Sequence, residues 1–265
     1  MTMKIRIVLI GAGRLATNLG AALRQQGQDV VQVYSRTMAS ATALAQRLDA
    51  AATDSLAAVV TDADVYIVSV KDSALAQLLP ELCKGREEGV FLHTAGSMPL
   101  SVFDGYARHY GVLYPMQTFS KERLVDFSRV PLFIEGADQH ALDMAETLAR
   151  MVSGEVRQLS SADRRHLHLA AVFACNFANH CYELSAEILE RHGIPFSVML
   201  PLIDETAAKV HTMSPREAQT GPAVRFDENV MQAQMQLLAG QEQARHIYEE
   251  MSRSIYLTAS GLQEK

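Results

Sequence analysis

The chain has 265 residues, of which 48% are hydrophobic and 20% are charged. This is ordinary globular composition with ample apolar material for a buried core, so a globally disordered chain is excluded. The 24 Lys and Arg residues against 30 Asp and Glu residues give a net charge of −6, and no basic run offsets it. We therefore expect small molecules or proteins as partners, with no nucleic acid and no membrane.

Cysteine usage and the apolar segments bear on the compartment. The three cysteines, Cys83, Cys175 and Cys181, form no CxxC pair and cannot all pair within one chain, which fits a reducing environment. The apolar run 5–10 leads directly into glycines and reads as a strand rather than a secretory signal. The stretch 167–182 contains His and Asn residues and is too short to span a bilayer. We expect a cytoplasmic protein.

The first part of the chain, residues 1–159, is predicted to be an α/β domain with a Rossmann-type, mainly parallel sheet. Short β-branched runs alternate there with alanine-rich helical patterns, which is typical of βαβ units. Strands are predicted at 5–10, 30–34, 65–70, 90–93, 112–114, 131–135 and 156–159. Helices are predicted at about 14–26, 38–49, 73–84 and 138–152.

The second part, residues 160–265, is predicted to be an all-α domain for substrate binding and dimerisation. Ser160 to Asp163 begin a long helix that runs to about Arg191, and further helices follow at about 197–211, after Ser214, at 228–239 and at 242–259. The long helix is apolar on nearly every side, which predicts a buried, central position. Short neighbouring helices offer too little cover, so we expect a homodimer through this domain.

The turn after the first strand predicts a dinucleotide site. It reads GxGxxA and opens a helix, so that the helix N-terminus offers unpaired N–H groups to phosphates. The first Gly permits the tight turn, the second lets a pyrophosphate approach, and the small Ala lets helix and strand pack closely. The predicted contacts are Gly11, Gly13, Arg14, Leu15 and Ala16. The alternative is a glycine turn without a ligand.

The end of the second predicted strand favours NADP over NAD. An NAD site usually has Asp or Glu there to hold the ribose 2′-hydroxyl, but this sequence has Ser35, Arg36 and Thr37. Arg36 can form a charge-assisted bond to a 2′-phosphate, and the hydroxyls can donate hydrogen bonds. The alternative is that Thr37 caps the next helix and Arg36 is solvated.

Polar residues follow two further strands at the sheet edge where open α/β folds bind ligands. We predict cofactor contacts near the nicotinamide from Ser69, Val70, Lys71, Thr94 and Gly96, and a proton-donating role for His93. The alternative is that Asp72 or Ser73 begins a helix and that His93 satisfies a buried carbonyl.

The long helix carries a polar face. At roughly 100° per residue, Cys175 and Asn179 lie within roughly 20° of His168, and Asn176 lies roughly 80° away. His168 is a candidate proton donor, and Asn176 or Asn179 would orient a substrate. Simple interhelical hydrogen bonds would explain the same residues equally well. His166 and His168 point in different directions, so no metal site is expected.

Several segments together resemble a known family. Residues 11–16, 93–97, 114–119, 165–176 and 220–223 resemble Rossmann-like proteins with a helical C-terminal domain of unknown function, over almost the whole chain. The N-terminal half is similar to pyrroline-5-carboxylate reductase and to deazaflavin-dependent NADP reductases. The resemblance implies an NADP-dependent oxidoreductase with a dimer-forming helical domain. Related β-hydroxyacid dehydrogenases place a catalytic Lys on the first long helix of their second domain, and residues 163–191 contain none.

These observations predict hydride transfer between NADP(H) and a small carbonyl or imine substrate in a cleft between the domains. Thr220 and Arg225 are predicted to close the site from the same or the partner chain, although Arg225 and Asp227 could instead form a surface ion pair. The rival prediction is a protein that binds NADP without turnover, as a sensor or assembly module. The missing lysine favours the module, and the polar helix face favours the enzyme.

Overall fold

A computed structural model describes residues 4–262, so the ends of the two predicted domains, 1–3 and 263–265, lie outside the described residues. Within that range eight strands form one sheet: β1 (Arg6–Ile10), β2 (Asp29–Tyr34), β3 (Ala51–Thr53), β4 (Val65–Val68), β5 (Val90–His93), β6 (His109–Pro115), β7 (Leu132–Gly136) and β8 (Val156–Gln158). Their order is β3-β2-β1-β4-β5-β6-β7-β8, with only β6 and β7 antiparallel. The predicted α/β, Rossmann-type sheet is confirmed.

Helices α1 (Arg14–Gln25), α2 (Met38–Leu48), α3 (Asp72–Leu82) and α4 (Gln139–Val152) alternate with the strands. From residue 161 the chain is helical, as predicted: α5 (Ser161–Ala171), a π-helical turn (Val172–Phe177), α6 (Ala178–Glu190), α7 (Leu200–Lys209), α8 (Pro215–Ala218), α9 (Glu228–Leu237) and α10 (Glu242–Ser260). Among the described residues no helix is both long and apolar enough to cross a bilayer.

The sheet is buried on both faces because its strands are apolar at successive positions. Ile7 and Leu9 of β1 belong to the core that includes α1, α2 and α4, while Val8 and Ile10 belong to the core that includes α3. This alternation follows from the two-residue period of a strand. Burying one such side chain stabilises the fold by roughly 1.5–3 kcal/mol. The sheet is therefore a rigid base whose carboxyl edge holds the loops in place.

Two strand predictions are corrected. The third strand, Ala51–Thr53, was not predicted, since its three residues lie at the sheet edge and show no alternation to detect. The predicted strand 65–70 ends at Val68, because Ser69 begins the turn that contacts Gly11. Both differences lie at a strand terminus or sheet edge, where sequence patterns are weakest.

The chain forms two compact units that adjoin in sequence at Asn176 and Phe177. The first therefore includes α5 and most of the π-helical turn together with the sheet. The predicted domain boundary after residue 159 coincides with the change from strands to helices, whereas the compact units divide after Asn176. The domain boundary therefore stays a prediction.

The expectation that the long helix is buried is wrong for the single chain. Helix α6 contains no buried residue within the described chain, and Leu169 and Phe173 are 56% and 63% exposed. In the second unit, buried residues among 177–262 are limited to Ala223, Leu238 and Ser252. The helix is apolar nearly all round, as the sequence indicated, but among its described residues 161–190 only Arg164 is buried.

Candidate functional site

The strand register brings the predicted cofactor-binding segments to one edge of the sheet. Ile10 at the end of β1 pairs with Tyr34 of β2 on one side and Val68 of β4 on the other, and Val68 pairs with His93 of β5. Because these strands are parallel, the residues that follow them emerge side by side. The glycine turn, 35–37, 69–72 and 94–97 are therefore neighbours, as open α/β sheets require of a ligand site.

The glycine turn fits a pyrophosphate group. Gly11 has φ +110°, and a Cβ there would lie 2.2 Å from the carbonyl oxygen of Ser69, so only glycine is accommodated. Gly13, in contrast, faces open space, and as N-cap of α1 it supplies no side chain to bond the helix N–H groups. The first turn of α1 contains no acidic residue, which leaves its amides and partial positive charge available to an anion.

The other residues of this turn divide into a packing position and cavity-lining positions. Ala16 is fully buried and lets α1 approach the sheet. Arg14 is exposed, and Arg14 and Leu15 both line the cavity described below. The chemistry of the turn thus matches a dinucleotide, with Ala16 shaping the helix packing.

In the segment after β2, Thr37 caps a helix and Arg36 is exposed, and the sequence left both possibilities open. Thr37 caps α2, accepting from the Ser40 N–H at 3.4 Å and donating to Ser40 Oγ at 2.9 Å. Its hydroxyl is therefore engaged in capping. Arg36 is exposed, and Ser35 is half-buried with its N–H bonded to the Thr53 carbonyl. Arg36 and the Ser35 hydroxyl remain the predicted contacts to a 2′-phosphate.

The loops after β4 and β5 bond to each other across the edge. Ser97 Oγ donates to a carboxylate oxygen of Asp72, and the Thr94 N–H donates to the Val68 carbonyl at 3.2 Å. Lys71, the N-cap of α3, makes no capping bond with its side chain, and Asp72 begins that helix. Ser69 and Val70 are half-buried and Lys71 is exposed, at the side of the turn where Gly11 lies.

The structure does not bring His93 into an accessible position. Its side chain is 0% exposed and stacks on Phe103, with ring centroids 5.8 Å apart. Nδ1 accepts from the Ala95 N–H at 3.2 Å. Burial lowers the pKa of His93 to about 3, and the positive charge of Arg164 acts in the same direction. His93 is thus neutral at physiological pH and is poorly suited to donate a proton there.

A cavity of about 640 Å³ lies entirely within the first unit, between the start of α1, the end of β6 and α5. Its lining comprises Arg14, Leu15, Tyr114, Met116, Gln117, Thr118, Phe119, Leu167, His168, Ala170, Ala171, Ala174, Cys175 and Asn176. The walls are mainly apolar with a few polar groups, the usual character of a small-molecule site. The cavity brings together the first two residues of α1, which follow the glycine turn, and two of the predicted catalytic residues, His168 and Asn176.

The π-helical turn changes which asparagine reaches this cavity. A π turn inserts about one extra residue, so it rotates later side chains by up to roughly 100° relative to an α-helix. That rotation moves Asn176, predicted to lie roughly 80° from His168, onto the same face. Asn176 accordingly lines the cavity, whereas Asn179 is exposed beyond the turn and does not.

His168 is held by a tyrosine and a glycine. Its Nδ1 lies 3.0 Å from the Tyr114 hydroxyl, and the two rings meet edge to face. A Cβ on Gly96 would lie 2.6 Å from the same Nδ1 and 3.0 Å from Tyr114 Cζ. Gly96, predicted as a cofactor contact, is therefore also the residue that leaves room for the His168–Tyr114 pair.

A buried ion pair fixes the start of α5. Arg164 is 0% exposed and donates to Glu135 at 2.5 Å and to the Met98 carbonyl at 2.6 Å. Glu135 also accepts from the N–H and the hydroxyl of Ser161. One carboxylate thus ties the end of β7 to the first turn of α5. Since Arg164 precedes His168 by one helical turn, this network also determines where His168 lies.

The remaining predicted residues belong to the second unit. Thr220 and Arg225 are exposed, and Arg225 ends a short 3₁₀ helix, Pro222–Arg225. Asp227 caps α9 by accepting from the Val230 N–H, and no Arg225–Asp227 salt bridge is present in the described part of the chain. Residues 4–262 contain no cluster of three or more His, Cys, Asp or Glu side chains suited to a metal ion.

Sequence reasoning missed Tyr114 and Glu135 as site residues. Tyr114 lies two positions beyond Val112, the residue of β6 that pairs with His93, so it lies beyond the last residue of β5. The available signal was a tyrosine at the carboxyl end of a strand. Nothing local marks Glu135, because its importance depends on Arg164, which follows 29 residues later.

Comparison with known proteins agrees with this architecture. Residues 6–92 match the family described as NADP oxidoreductase, coenzyme F420-dependent, and residues 130–255 match a domain of unknown function, DUF2520. No functionally curated protein matches the sequence significantly. A Bacteroides fragilis protein, provisionally described as an NADP oxidoreductase, shares 52% identity with a TM-score of 0.93, over 96% of this chain and 98% of that one.

More distant solved structures share the fold. An imine reductase from Myxococcus stipitatus in complex with NADP⁺ has 18% identity and a TM-score of 0.64, over 95% of this chain and 91% of that one. A pyrroline-5-carboxylate reductase from Coxiella burnetii has 16% identity and a TM-score of 0.59, over 99% and 100% of the two chains. The chain belongs to the family of NADP oxidoreductases that join an N-terminal Rossmann-like domain to a helical domain of unknown function.

Proposed function

We propose that the protein is an NADP-dependent reductase of small carbonyl or imine compounds, with His168 as the proton donor. The cavity that connects the phosphate-binding turn at Arg14 and Leu15 with His168 carries this proposal. A reductase needs a cofactor anchor at one end of its pocket and a proton donor at the other. The imine reductase with a similar fold binds NADP⁺, which supports the same cofactor here.

Each group has a separate task. NADPH, when bound, supplies the hydride. The α1 amides with Gly11 and Gly13 would hold its pyrophosphate, and Ser69 to Lys71 together with Thr94 would lie near its nicotinamide. Imidazole is the side chain best matched to proton transfer near neutral pH. Asn176 would orient the substrate in the cavity, and Ala170, Ala171 and Ala174 would give the cavity an apolar wall.

A substrate screen tests the reductase directly. The purified chain is incubated with NADPH and small ketones, 2-oxo acids or cyclic imines, and NADPH oxidation is followed by absorbance. We expect at least one class to be reduced at a rate well above background. A broad screen without oxidation, from a protein that still binds NADPH in the micromolar range, would instead support the module that binds NADP without turnover. The missing lysine between residues 163 and 191 is the observation that favours that second function.

We expect NADPH to bind more tightly than NADH, and Arg36→Ala to remove most of the difference. A charge-assisted bond to the 2′-phosphate is worth about 1.5–3 kcal/mol, or roughly tenfold to 150-fold in affinity. Titration of both cofactors by fluorescence measures the effect. NADH affinity serves as the internal control, since it should not change in the variant. Equal affinity of the wild-type protein for the two cofactors would refute the assignment of Ser35 and Arg36.

We propose a homodimer through the helical region, in the cytoplasm, where reducing conditions keep the thiols free. Leu202 and Leu237 are 61% and 80% exposed in the single chain, on helices with few buried residues. Large exposed apolar surfaces are normally covered by a partner. Light scattering at micromolar concentration should give a mass of about 58 kDa, twice the chain mass of 29.1 kDa. A monomer mass from intact protein would contradict the dimer.

A further inference from the structure

The contact between Tyr114 and His168 defines a role that the proposed function leaves open. The Tyr114 hydroxyl has two hydrogen-bond partners among the described residues, His168 Nδ1 at 3.0 Å and Met116 Sδ at 3.7 Å. The side chain of Tyr114 is nearly buried, at 7% exposure. The phenol is therefore held in place, and its hydroxyl is directed at one particular nitrogen of the imidazole.

The second ring nitrogen of His168, Nε2, has different surroundings from Nδ1. No hydrogen bond to His168 Nε2 is present within residues 4–262, while Nδ1 is covered by Tyr114 and by the backbone of Gly96. His168 is only half-buried, and it lines the cavity together with Asn176. With one nitrogen occupied, Nε2 is the atom left for a ligand in that cavity.

The hydroxyl can bond to the imidazole in either of its protonation states. When the ring is neutral with its proton on Nε2, the Tyr114 O–H donates to the bare Nδ1. When the ring is protonated at both nitrogens, Nδ1–H donates to the Tyr114 oxygen, and the hydroxyl hydrogen can turn to Met116 Sδ. Burial raises the pKa of Tyr114, against a smaller opposing effect of the Arg164 charge, so the phenol stays protonated at neutral pH.

We propose that Tyr114 is a positioning residue that holds Nδ1 of His168, so that Nε2 delivers the proton to the substrate; this rests on the proposed reductase function. In the step itself, the Nε2–H bond of the imidazolium breaks. The proton joins the substrate nitrogen or oxygen, which carries the electron pair released from the C=N or C=O double bond as its carbon is reduced. The imidazole is left neutral, with its Nδ1 proton bonded to Tyr114, and regains a proton from water.

Tyr114→Phe tests this role with little change in packing, because the ring remains against Gly96 and only the hydroxyl is lost. We expect kcat to fall roughly tenfold to a hundredfold, as for loss of a hydrogen bond to a charged group, and by less than in His168→Ala. NADPH affinity and KM should change little. Tyr110→Phe is the matched control, since it removes a hydroxyl of the same strand that bonds Asp104 instead.

Nitrogen-15 NMR of the imidazole provides a readout that needs no substrate. In the free protein, Tyr114→Phe should shift the Nδ1 resonance of His168, and Tyr110→Phe should leave it unchanged. An unshifted Nδ1 resonance in Tyr114→Phe would overturn the positioning role, even if the reductase is confirmed. If the substrate screen fails but the resonance shifts, both the reductase function and the proton-delivery step are contradicted, whereas the hydrogen bond between His168 and Tyr114 is still supported.

The activity measurements separate the proposal from its closest rival, in which Tyr114 itself protonates the substrate. His168→Asn places an amide near the former Nδ1 and can still bond Tyr114, but it cannot deliver a proton from Nε2. We expect His168→Asn to lose as much turnover as His168→Ala. If His168→Asn retains most of its kcat while Tyr114→Phe loses more than His168→Ala, the tyrosine is the donor and the proposal is wrong.

Discussion

His168→Ala is expected to lower turnover by about 10²- to 10⁴-fold while leaving NADPH affinity nearly unchanged. The phosphates would be held by the α1 N-terminus and the glycine turn, which the substitution does not touch, whereas the proton would have to come from water. We therefore expect fluorescence titration to show unchanged NADPH binding, and a substrate from the screen to show reduced turnover.

The same helix provides a matched control. His166 is exposed, bonds the Ala162 carbonyl, and lies two residues before His168, on a different side of α5. His166→Ala should leave turnover unchanged. If His168 is only a structural partner of Tyr114, its removal should lower the free energy of unfolding by about 1–3 kcal/mol and alter turnover only through the folded fraction. That result would remove His168 from the chemistry.

Glu135→Ala should lower the free energy of unfolding by about 3–5 kcal/mol. The side chain of Arg164 is 1% exposed, so its charge would be left buried without a counter-ion. Ser161 would also lose an acceptor for both its N–H and its hydroxyl. Denaturation in urea, followed by circular dichroism, measures the change.

An exposed ion pair of similar length is the control. Arg157 and Glu155 lie 2.6 Å apart, but their side chains are 68% and 49% exposed, so water screens the interaction. Glu155→Ala should change stability by less than about 1 kcal/mol. Equal effects of the two substitutions would show that burial does not increase the contribution of the Glu135–Arg164 pair to stability. Because Glu135 ties α5 to β7, its loss should also reduce turnover in the protein that remains folded.

Local sequence patterns were enough to predict seven of the eight strands, the helices that alternate with them and the glycine turn after β1. Gly11, Gly13 and Ala16 act within one strand-turn-helix segment, where each residue type has a steric reason that neighbouring residues alone reveal. The change to an all-α region after Leu159 was equally visible, because period-two strands give way to helical spacing.

Only the tertiary structure decided how the end of the cavity around His168 is built. The Tyr114–His168 bond joins residues 54 apart, and the Glu135–Arg164 pair joins residues 29 apart, so neither leaves a pattern in a short window. Asn176 rather than Asn179 lines the cavity, because the extra residue in the π-helical turn rotates the side chains that follow it. No particular residue type marks a π-helical turn in a sequence, so this rotation could not be predicted. Sequence thus determined which residue types are available, and the packing of β6, β7 and α5 determined which of them meet.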